Sequence, residues 1–291
     1  MAARAPAKVW LAGARPRTLA VSVCPVLVGT AAAGPPFTAW RLAAAAVVAL
    51  ALQVGVNYAN DYSDGVRGTD ADRIGPTRLT ASGLVDPGRV KLAAGLAFLV
   101  AAVAGLALSI AVDLRLLLVG AAAIAAAIGY TGGPRPYGYS GLGELAVLVF
   151  FGIVATCGSA YVQAGSVSAE AAVASLVMGL LAVAVLLANN VRDIDTDRLA
   201  GKRTLAVRIG RTGARRLFAA VLAGVFAAIA GLGVLRPLAL VALVAAPLAV
   251  GPVRLVMTRT DGPGLIGALV GTVRLQLAIS VLLTVALWVS S

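Results

Sequence analysis

Histidine is absent from this chain, and cysteine, aromatic residues and charged residues are scarce. Without histidine, neither an imidazole general base nor a metal site built on imidazole is available. The two cysteines, Cys24 and Cys157, lie in separate apolar stretches and indicate neither a disulfide framework nor a zinc site. Only 12% of the 291 residues are charged, whereas roughly a quarter is usual in soluble domains. An ordinary soluble enzyme is therefore excluded.

Apolar residues are correspondingly abundant, at 60% of the chain with a mean hydropathy of +0.96. A membrane helix needs about 20 mostly apolar residues to cross roughly 30 Å of hydrocarbon, and continuous apolar character favours helices over barrel strands. Nine stretches qualify, at about 17–35, 40–59, 92–111, 114–131, 143–163, 169–188, 214–234, 237–257 and 265–289. We therefore predict an all-α polytopic membrane protein with one domain over 1–291. Its nine transmembrane helices form a bundle around a central cavity, capped by cytoplasmic loops at about 60–91 and 190–213.

Lysine and arginine are distributed unequally between the two sides of this predicted bundle. If the N-terminus is cytoplasmic, twenty of the 24 lie on the cytoplasmic side and Arg41, Arg115 and Arg236 on the other, while Arg274 falls within the last predicted helix. Cytoplasmic loops carry such an excess in membrane proteins. The net charge of +12 is thereby explained by topology, and we expect no nucleic-acid partner. We predict a multi-pass protein of the cell (plasma) membrane with a cytoplasmic N-terminus.

Two aspartate-rich stretches interrupt the apolar sequence, each beginning where a predicted helix ends. The first reads NDYSD at 60–64 and continues to Asp70 and Asp72, and the second reads NNVRDIDTD at 189–197. Together they hold seven of the 12 acidic residues, and the predicted topology places both on the cytoplasmic side. Carboxylates at the end of a membrane helix are costly unless they bind something cationic. The two stretches therefore indicate a binding site.

Helical spacing places the polar side chains of each stretch on one face of its helix. Asp61 and Asp64 are three residues apart, and Asp193 and Asp197 are four apart. The amides on the same faces are Asn57, Asn60, Asn189 and Asn190. Carboxylate and amide oxygens suit a hard divalent cation, and Mg²⁺ shares its coordination with substrate phosphates. Cations follow each stretch and are candidate phosphate contacts: Arg67, Arg73, Arg78, Lys202 and Arg203.

Acidic residues at helix ends also occur as solvated charges that only cap the helix. Here two clusters lie on one side, and asparagines that still lie within the apolar segments precede both of them. This arrangement favours a site over capping. Acidic groups alone repel a diphosphate, whereas acidic groups carrying Mg²⁺ within a ring of arginine and lysine attract one. We therefore predict a site for a metal-bound diphosphate.

The two stretches resemble the two aspartate motifs of the UbiA superfamily of intramembrane prenyltransferases. Three segments carry a narrower similarity to the branch that prenylates 1,4-dihydroxy-2-naphthoate in menaquinone biosynthesis. They are NYANDYSDGVRGTDADRIGP at 57–76, YTGGPRPYGYSGLGE at 130–144 and NNVRDIDTDRLAGKRT at 189–204. The similarity extends over about 10–215. The superfamily pattern has a further aspartate at the position of Gly68, and we expect Asp70 to replace it as a metal ligand.

The resemblance implies a transferase that moves a polyprenyl group from polyprenyl diphosphate to 1,4-dihydroxy-2-naphthoate. Pyrophosphate and CO2 leave, and demethylmenaquinol forms. Two Mg²⁺ ions, held by Asp61 and Asp64 and by Asp193 and Asp197, stabilise the charge on the pyrophosphate. The prenyl chain lies in an apolar channel of the bundle, surrounded by membrane lipid.

Activation of the acceptor requires a base in a chain without histidine. Asp61, Asp64 and the other carboxylates of the first stretch are candidates. Tyr130 and Arg135 are candidates for orienting the acceptor, although Tyr130 is equally well explained as an interfacial aromatic anchor. Arg274 lies inside the ninth predicted helix, and we expect it to face the cavity as an anion contact.

Three alternative functions share part of this pattern. A superfamily member that prenylates 4-hydroxybenzoate or homogentisate uses the same chemistry, and the segment 130–144 favours the naphthoate instead. A CDP-alcohol phosphatidyltransferase also uses intramembrane aspartates, but the DGVRG at 64–68 lacks the Ala-Arg of its D-G-x-x-A-R motif. A cation-coupled transporter carries its acids near the membrane midplane, often in broken helices, whereas here they lie at helix ends.

Overall fold

The computed structural model describes residues 6–68 and 78–290, and its regular structure within these ranges is helical. The α-helices α1 to α11 run in chain order over Ala7–Ala14, Ala20–Ala32, Ala39–Arg67, Pro87–Ala111, Leu116–Thr131, Gly143–Val147, Ala155–Ala164, Ala169–Leu199, Leu205–Leu235, Pro247–Thr258 and Gly262–Val289. Short 3-10 helices cover Pro16–Thr18, Tyr137–Ser140 and Pro237–Ala245. A π-helical segment, Leu148–Val154, joins α6 to α7.

Six helical segments in the described ranges are long and apolar enough to cross a membrane: α3, α4, the run from α6 to α7, α8, α9 and α11. Two bent pairs raise the count to at most eight. The first bends by 51° where Ala7–Thr18 meets α2, and the second by 47° where Pro237–Ala245 meets α10. The all-helical membrane fold is confirmed, but the count of nine spans is not. The remaining segment, α5, has only 16 residues, which is about 24 Å of helix.

Local sequence explains where several of these helices begin and end. The Ser168 hydroxyl accepts a hydrogen bond from the Ala171 N–H at the start of α8, at 3.1 Å. A carboxylate oxygen of Asp261 accepts one from the Gly264 N–H at the start of α11, at 2.8 Å. Such side chains satisfy amides that have no partner within the helix. At its C-terminal end, α3 stops at Gly68, whose φ of 71° favours glycine.

The buried apolar side chains form two cores. The larger one joins α2, α8, α9, α10 and α11 and contains Met178, Phe218 and Leu283. The smaller one joins α1, α3 and α4 and contains Tyr58 and Phe98. The two helices that carry the aspartate stretches, α3 and α8, belong to different cores. The site described next therefore lies where the two packed halves face each other.

Candidate active site

A cavity of about 770 Å³ lies between the two halves and receives side chains from both aspartate stretches. The sequence-predicted site residues that line it are Asn57, Asn60, Asp64, Arg78, Tyr130, Asn189, Asn190, Asp193, Asp197 and Lys202. Both α3 and α8 continue as helices through their stretches, to Arg67 and Leu199. The helical spacing expected for each stretch is thus present, and it directs both into one site.

The α3 side of the cavity is tied to its neighbours through asparagine side chains. The Asn57 amide donates to the Ala14 carbonyl at 2.9 Å. The amide oxygen of Asn60 accepts from the Thr131 hydroxyl at 2.7 Å. Both asparagines are buried, so these bonds satisfy polar groups that would otherwise be costly to desolvate. They fix α3 against the ends of α1 and α5.

Asp64 is the acidic group around which the two halves meet. The Tyr139 hydroxyl donates to its carboxylate. Lys202, from the loop after α8, places Nζ 3.2 Å from Asp64 Oδ2 and 4.8 Å from the centre of the Tyr139 ring. Arg78 places Nη2 3.7 Å from the same carboxylate oxygen. Asp64 is only 4% exposed, and cations from both halves of the chain balance its charge.

On the α8 side, Asp193 pairs with the residue that precedes it. Arg192 donates from Nε to Asp193 Oδ1 at 2.6 Å and from Nη2 to Oδ2 at 2.7 Å. The same Nη2 donates to Asn189 Oδ1 at 2.7 Å. This two-point contact of a guanidinium with a carboxylate is a strong and directional arrangement. Because Arg192 also lines the cavity, it presents a fixed positive charge there.

The segment 130–144 connects the two stretches. Thr131 bonds Asn60 and Tyr139 bonds Asp64, as described above. Glu144, at the start of α6, accepts a hydrogen bond from the Asn190 amide at 2.9 Å, and both side chains are buried. The segment thus touches the aspartate motifs of both helices. The segment therefore links the two aspartate stretches by hydrogen bonds, although it carries no metal-binding pattern of its own.

Glycines let the segment 130–144 close around Tyr130. A Cβ atom on Gly138 would lie 2.6 Å from the Tyr130 carbonyl oxygen. A Cβ atom on Gly143 would lie 3.2 Å from the Tyr130 hydroxyl. The Tyr130 ring also packs edge-on against the Tyr137 ring, with their centres 5.5 Å apart. Burial raises the pKa of Tyr137 to about 12, so its phenol stays protonated at neutral pH.

Asp61 does not occupy the position predicted for a metal ligand or base. Its Oδ2 accepts from the Leu79 N–H and its Oδ1 from the Thr80 N–H, both at 2.8 Å. The described residues that line the cavity include Asp64 and not Asp61. Side chains three residues apart on a helix point about 60° away from each other. That angle is enough to direct Asp64 into the cavity and Asp61 toward the backbone beside it.

Four of the predicted cationic contacts also lie away from the cavity, three of them near the segment 130–144. Arg67 donates to the carbonyl oxygens of Thr131 and Gly133 and so caps the end of α5. Arg135 and Arg203 are exposed and absent from the cavity lining, although the Arg203 backbone N–H bonds the Tyr139 carbonyl at 2.9 Å. The side chains of these three predicted substrate contacts thus do not line the cavity in this structure.

Arg274, the fourth, does not face the cavity, contrary to prediction. It is exposed on α11, between the buried residues Val273 and Leu275. Helix α11 lines the cavity through Ile266, Leu269 and Val270, which lie closer to its start. The packed face of the helix runs through Thr272, Val273, Gln276 and Ile279. Successive residues are about 100° apart around a helix, so Arg274 projects away from that face. The predicted metal ligand Asp70 and the predicted phosphate contact Arg73 lie outside the described residues, as does Asp72.

Several residues that line the cavity are absent from the sequence-based prediction, among them Arg192, Tyr139 and Arg15. Arg192 lies inside the second stretch and Tyr139 inside the segment 130–144, so for both a signal was available in the sequence. Arg15, counted there only as a topological charge, has a left-handed backbone with φ of 57°. Its buried Nη2 makes no hydrogen bond with the residues that the structure describes. Leaving a buried donor unpaired costs free energy, so the Arg15 guanidinium is suited to bind an anionic group.

The oxygen donors around the cavity fit Mg²⁺ when a phosphate completes the coordination. Asp64, Asp193 and Asp197 supply carboxylates, and Asn60 and Asn190 supply amides. Across 6–68 and 78–290, no three acidic or cysteine side chains are grouped closely enough to hold a metal by themselves. Mg²⁺ is typically held by one or two carboxylates together with waters and substrate phosphates. The residues therefore suit a metal that binds with a diphosphate, not a closed protein cage.

Comparison with known proteins defines the class. Residues 22–266 match the family model described as the UbiA prenyltransferase family. The chain belongs to this family, and it is a multi-pass membrane prenyltransferase.

Individual relatives narrow the comparison. A 1,4-dihydroxy-2-naphthoate octaprenyltransferase from Mycobacterium tuberculosis is 49% identical over 250 residues, which are 84% of this chain and 86% of the relative. A protein of the same name from Escherichia coli is 38% identical over 295 residues, covering 97% and 96%. The structure of a UbiA homologue from Archaeoglobus fulgidus bound to GPP and Mg²⁺ superposes with a TM-score of 0.67 at 13% identity. That superposition covers 94% of this chain and 99% of the homologue. The two therefore share a fold.

Proposed function

We propose that this protein transfers a polyprenyl group from polyprenyl diphosphate to 1,4-dihydroxy-2-naphthoate. Pyrophosphate and CO2 are released, and demethylmenaquinol forms for menaquinone biosynthesis. The observation that carries the proposal is the meeting of both aspartate stretches at one cavity, where Asp64, Asp193 and Asp197 lie among Arg78, Arg192 and Lys202. The names of the two relatives support the acceptor. The ligands of the A. fulgidus homologue support a prenyl diphosphate with Mg²⁺.

The diphosphate binds at the charged end of the cavity in this proposal. Asp64 with Asn60 would hold one Mg²⁺, and Asp193 with Asp197 a second. These ions supply Lewis-acid stabilisation of the leaving pyrophosphate. Arg78 and Lys202 lie beside Asp64 and would contact the phosphate oxygens of a diphosphate bound there. Their fixed positive charge favours the transition state, in which the allylic C–O bond breaks.

The prenyl chain occupies the apolar remainder of the cavity. On α3 the lining continues from Asp64 back through Leu52 and Ala49 to Ala45. Nineteen residues of helix correspond to about 28 Å, so the apolar part is a channel through much of the bundle. Phe150 and Phe151 line the opposite wall. A dry channel also protects the allylic cation from capture by water.

The aromatic acid requires a cation for its carboxylate and a base for its hydroxyl proton. Arg15 and Arg17 line the cavity, and the bond from Asn57 to the Ala14 carbonyl fixes the backbone next to Arg15. We assign the carboxylate to Arg15. Among the described acids of the first stretch, Asp64 is the one that lines the cavity, and we assign it the proton. The allylic C–O bond breaks with its electron pair going to pyrophosphate, and the activated ring forms the new C–C bond to the allylic carbon. Loss of CO2 returns the electron pair of the broken ring–carboxyl bond to the ring, and Asp64 gives its proton back, so that both hydroxyl groups are present in the product.

A membrane assay tests this function. Membranes containing the protein are incubated with Mg²⁺, a prenyl diphosphate and each of three radiolabelled acids: 1,4-dihydroxy-2-naphthoate, 4-hydroxybenzoate and homogentisate. We expect lipid-soluble product from the naphthoate alone. Asp64→Ala and Asp193→Ala should each lower its formation by about 100-fold or more. Asp195→Ala is the matched control, because Asp195 belongs to the same stretch but is exposed and paired with Arg211 at 2.7 Å. Undiminished product in both site variants would overturn the site.

We further propose that α5 and both bent pairs also cross the bilayer, giving nine crossings in the cell membrane with both aspartate stretches cytoplasmic. The excess of lysine and arginine on that side supports this orientation. Single cysteines in a Cys24→Ser and Cys157→Ser background test it. Leu199→Cys, at the exposed end of α8, should be labelled only after the cells are opened. Ser166→Cys, between α7 and α8, should be labelled by an impermeant maleimide from outside. The reverse pattern would refute the orientation.

A further inference from the structure

Asp61 binds the backbone of the segment that begins the second described range, at Leu79 and Thr80. Its two carboxylate oxygens accept hydrogen bonds from two consecutive backbone amides, those of Leu79 and Thr80, each at 2.8 Å. Asp61 is 2% exposed, so both bonds are shielded from competing water. Hydrogen bonds to a buried charged acceptor are stronger than those between neutral groups. The turn that starts at Arg78 is therefore fixed to α3 at this point.

The side chain of Leu79 reinforces the same attachment. Leu79 is fully buried in the smaller core with Tyr58. A Cβ atom on Gly13 would lie 2.7 Å from Leu79 Cδ1, so α1 packs directly against this side chain. The peptide next to Arg78 is thus held from two directions, by the Asp61 carboxylate and by apolar packing.

Arg78 is the residue that this attachment places in the cavity. It directly precedes Leu79, is buried, and lines the cavity with Nη2 at 3.7 Å from Asp64 Oδ2. Because the Leu79 amide is fixed, the backbone position from which the Arg78 side chain extends toward the cavity is fixed as well. We propose that Asp61 is a positioning residue that sets Arg78 against the diphosphate of the substrate, and that it is not a metal ligand. This inference rests on the proposed function, because it assigns Arg78 to the diphosphate.

Asp61 and Asp64, the two described acids of the first stretch, thus have different roles. Asp64 faces the cavity and has cations near it, whereas the oxygens of Asp61 are directed at amides. A metal ligand influences the concentration of Mg²⁺ needed for activity. A positioning residue influences the affinity for the diphosphate, and its effect depends on the arginine that it positions.

Steady-state kinetics of purified Asp61→Ala, Asp61→Asn, Arg78→Ala and the Asp61→Ala/Arg78→Ala double variant test the proposal. We expect Asp61→Ala and Arg78→Ala each to raise KM for the prenyl diphosphate by about 10- to 100-fold, the size of a charged hydrogen bond. The double variant should be no worse than Arg78→Ala alone, because the two residues act through one contact. Asp61→Asn keeps one acceptor oxygen and should fall between wild type and Asp61→Ala. Half-saturating Mg²⁺ should stay within about 2-fold in all four.

A metal-binding role predicts a different result. Half-saturating Mg²⁺ would then rise at least 10-fold in Asp61→Asn, and the effects of Asp61→Ala and Arg78→Ala would multiply. Either outcome overturns the inference. If Asp61→Ala does not fold, Asp61→Asn alone decides, since it is nearly isosteric and the Mg²⁺ titration and KM are both measurable on it. Asp193→Ala is assayed in parallel. Loss of activity there together with an altered Mg²⁺ requirement in Asp61→Asn refutes only the role of Asp61, and full activity in Asp193→Ala refutes the assigned site. Absence of product from the naphthoate with the wild-type protein refutes the proposed function itself.

Discussion

Lys202 forms an ion pair with Asp64 across the interface of the two halves, with Nζ 3.2 Å from Oδ2. The lysine follows α8, whereas the aspartate belongs to α3. The charge of Asp64 is therefore balanced in part by a cation from the other half of the chain. The contact is buried on both sides, so removing one partner leaves the other charged and desolvated.

The first prediction concerns Lys202. Lys202→Ala should lower kcat/KM for the prenyl diphosphate by about 10- to 100-fold, because a buried cation near the leaving group is lost. Lys202→Arg keeps the charge and should retain most of the activity. Arg198→Ala, an exposed cation at the end of α8, is the matched control and should behave like wild type. Equal activity of Lys202→Ala and Arg198→Ala would contradict the assignment.

Removal of Mg²⁺ should abolish catalysis without unfolding the protein. In the structure Asp64 and Asp193 are already balanced by Lys202, Arg78 and Arg192, so the fold does not depend on a metal to neutralise them. Chelation should eliminate product formation and leave the thermal unfolding midpoint in detergent unchanged. Adding Mg²⁺ together with a prenyl diphosphate should raise that midpoint, since only the folded state binds them. A large fall of the midpoint on chelation would instead identify a structural metal.

Chain-length selectivity should respond to Gly120, which lines the apolar channel on α5 and where an added Cβ atom would meet open space. Gly120→Phe fills part of the channel. We expect it to lower activity with long prenyl diphosphates by about 10-fold or more, through steric clash, and to affect geranyl diphosphate little. Gly95→Phe is the matched control, because Gly95 is an exposed helical glycine on α4 that does not line the cavity. A uniform loss with all chain lengths would contradict the channel.

Recognition of the acceptor carboxylate should depend on Arg15. Arg15→Ala is expected to raise KM for the aromatic acid by about 10-fold or more, the size of a charged hydrogen bond, with KM for the prenyl diphosphate changed little. Lys8→Ala, on the exposed side of α1, should leave both constants unchanged. An increase confined to the diphosphate would show that Arg15 contacts the other substrate.

The close packing of α8 against the π-helical segment predicts a selective loss of stability. A Cβ atom on Gly152 would lie 2.5 Å from the Gly179 Cα and 2.8 Å from the Ser175 carbonyl oxygen. Gly152→Ala should therefore destabilise the protein by about 1–3 kcal/mol through overpacking. Gly231→Ala, on an exposed face of α9 with no atom within 4 Å, should instead stabilise by about 0.5–1 kcal/mol. Thermal unfolding in detergent distinguishes the two, and equal midpoints would contradict the packing argument.

The sequence predicted those features that depend on local pattern. Apolar length located the helices, and helical spacing correctly indicated that Asp64, Asp193 and Asp197 share one cavity. The pattern was insufficient for Asp61. A three-residue spacing does not tell which of two neighbouring carboxylates will accept hydrogen bonds from the backbone of a later segment, here Leu79 and Thr80. It also failed for Arg274, whose helix has apolar residues on every side, so that the packed face was not distinguishable.

Contacts between segments that are distant in the chain could not be predicted from the sequence for a related reason. The bond from Tyr139 to Asp64 and the bond from Asn190 to Glu144 each join residues far apart in the chain. Residues of these types are common in loops and near helix ends, so the sequence does not indicate that these particular residues form hydrogen bonds with each other. Both bends follow 3-10 segments that begin with proline, Pro16–Thr18 and Pro237–Ala245, and Pro247 begins the helix after the second. Proline at a helix start is also compatible with a straight entry into the membrane.

The apolar wall between Leu52 and Ala45 also bears on the bilayer as a barrier. An ion leaving Asp64 in that direction would lose its hydration and gain no ligand from the α3 wall. The α3 wall therefore separates the charged end of the cavity from its far end by a stretch that offers an ion no ligand. The same cavity can hold an apolar chain along this wall without offering ions a path beside it.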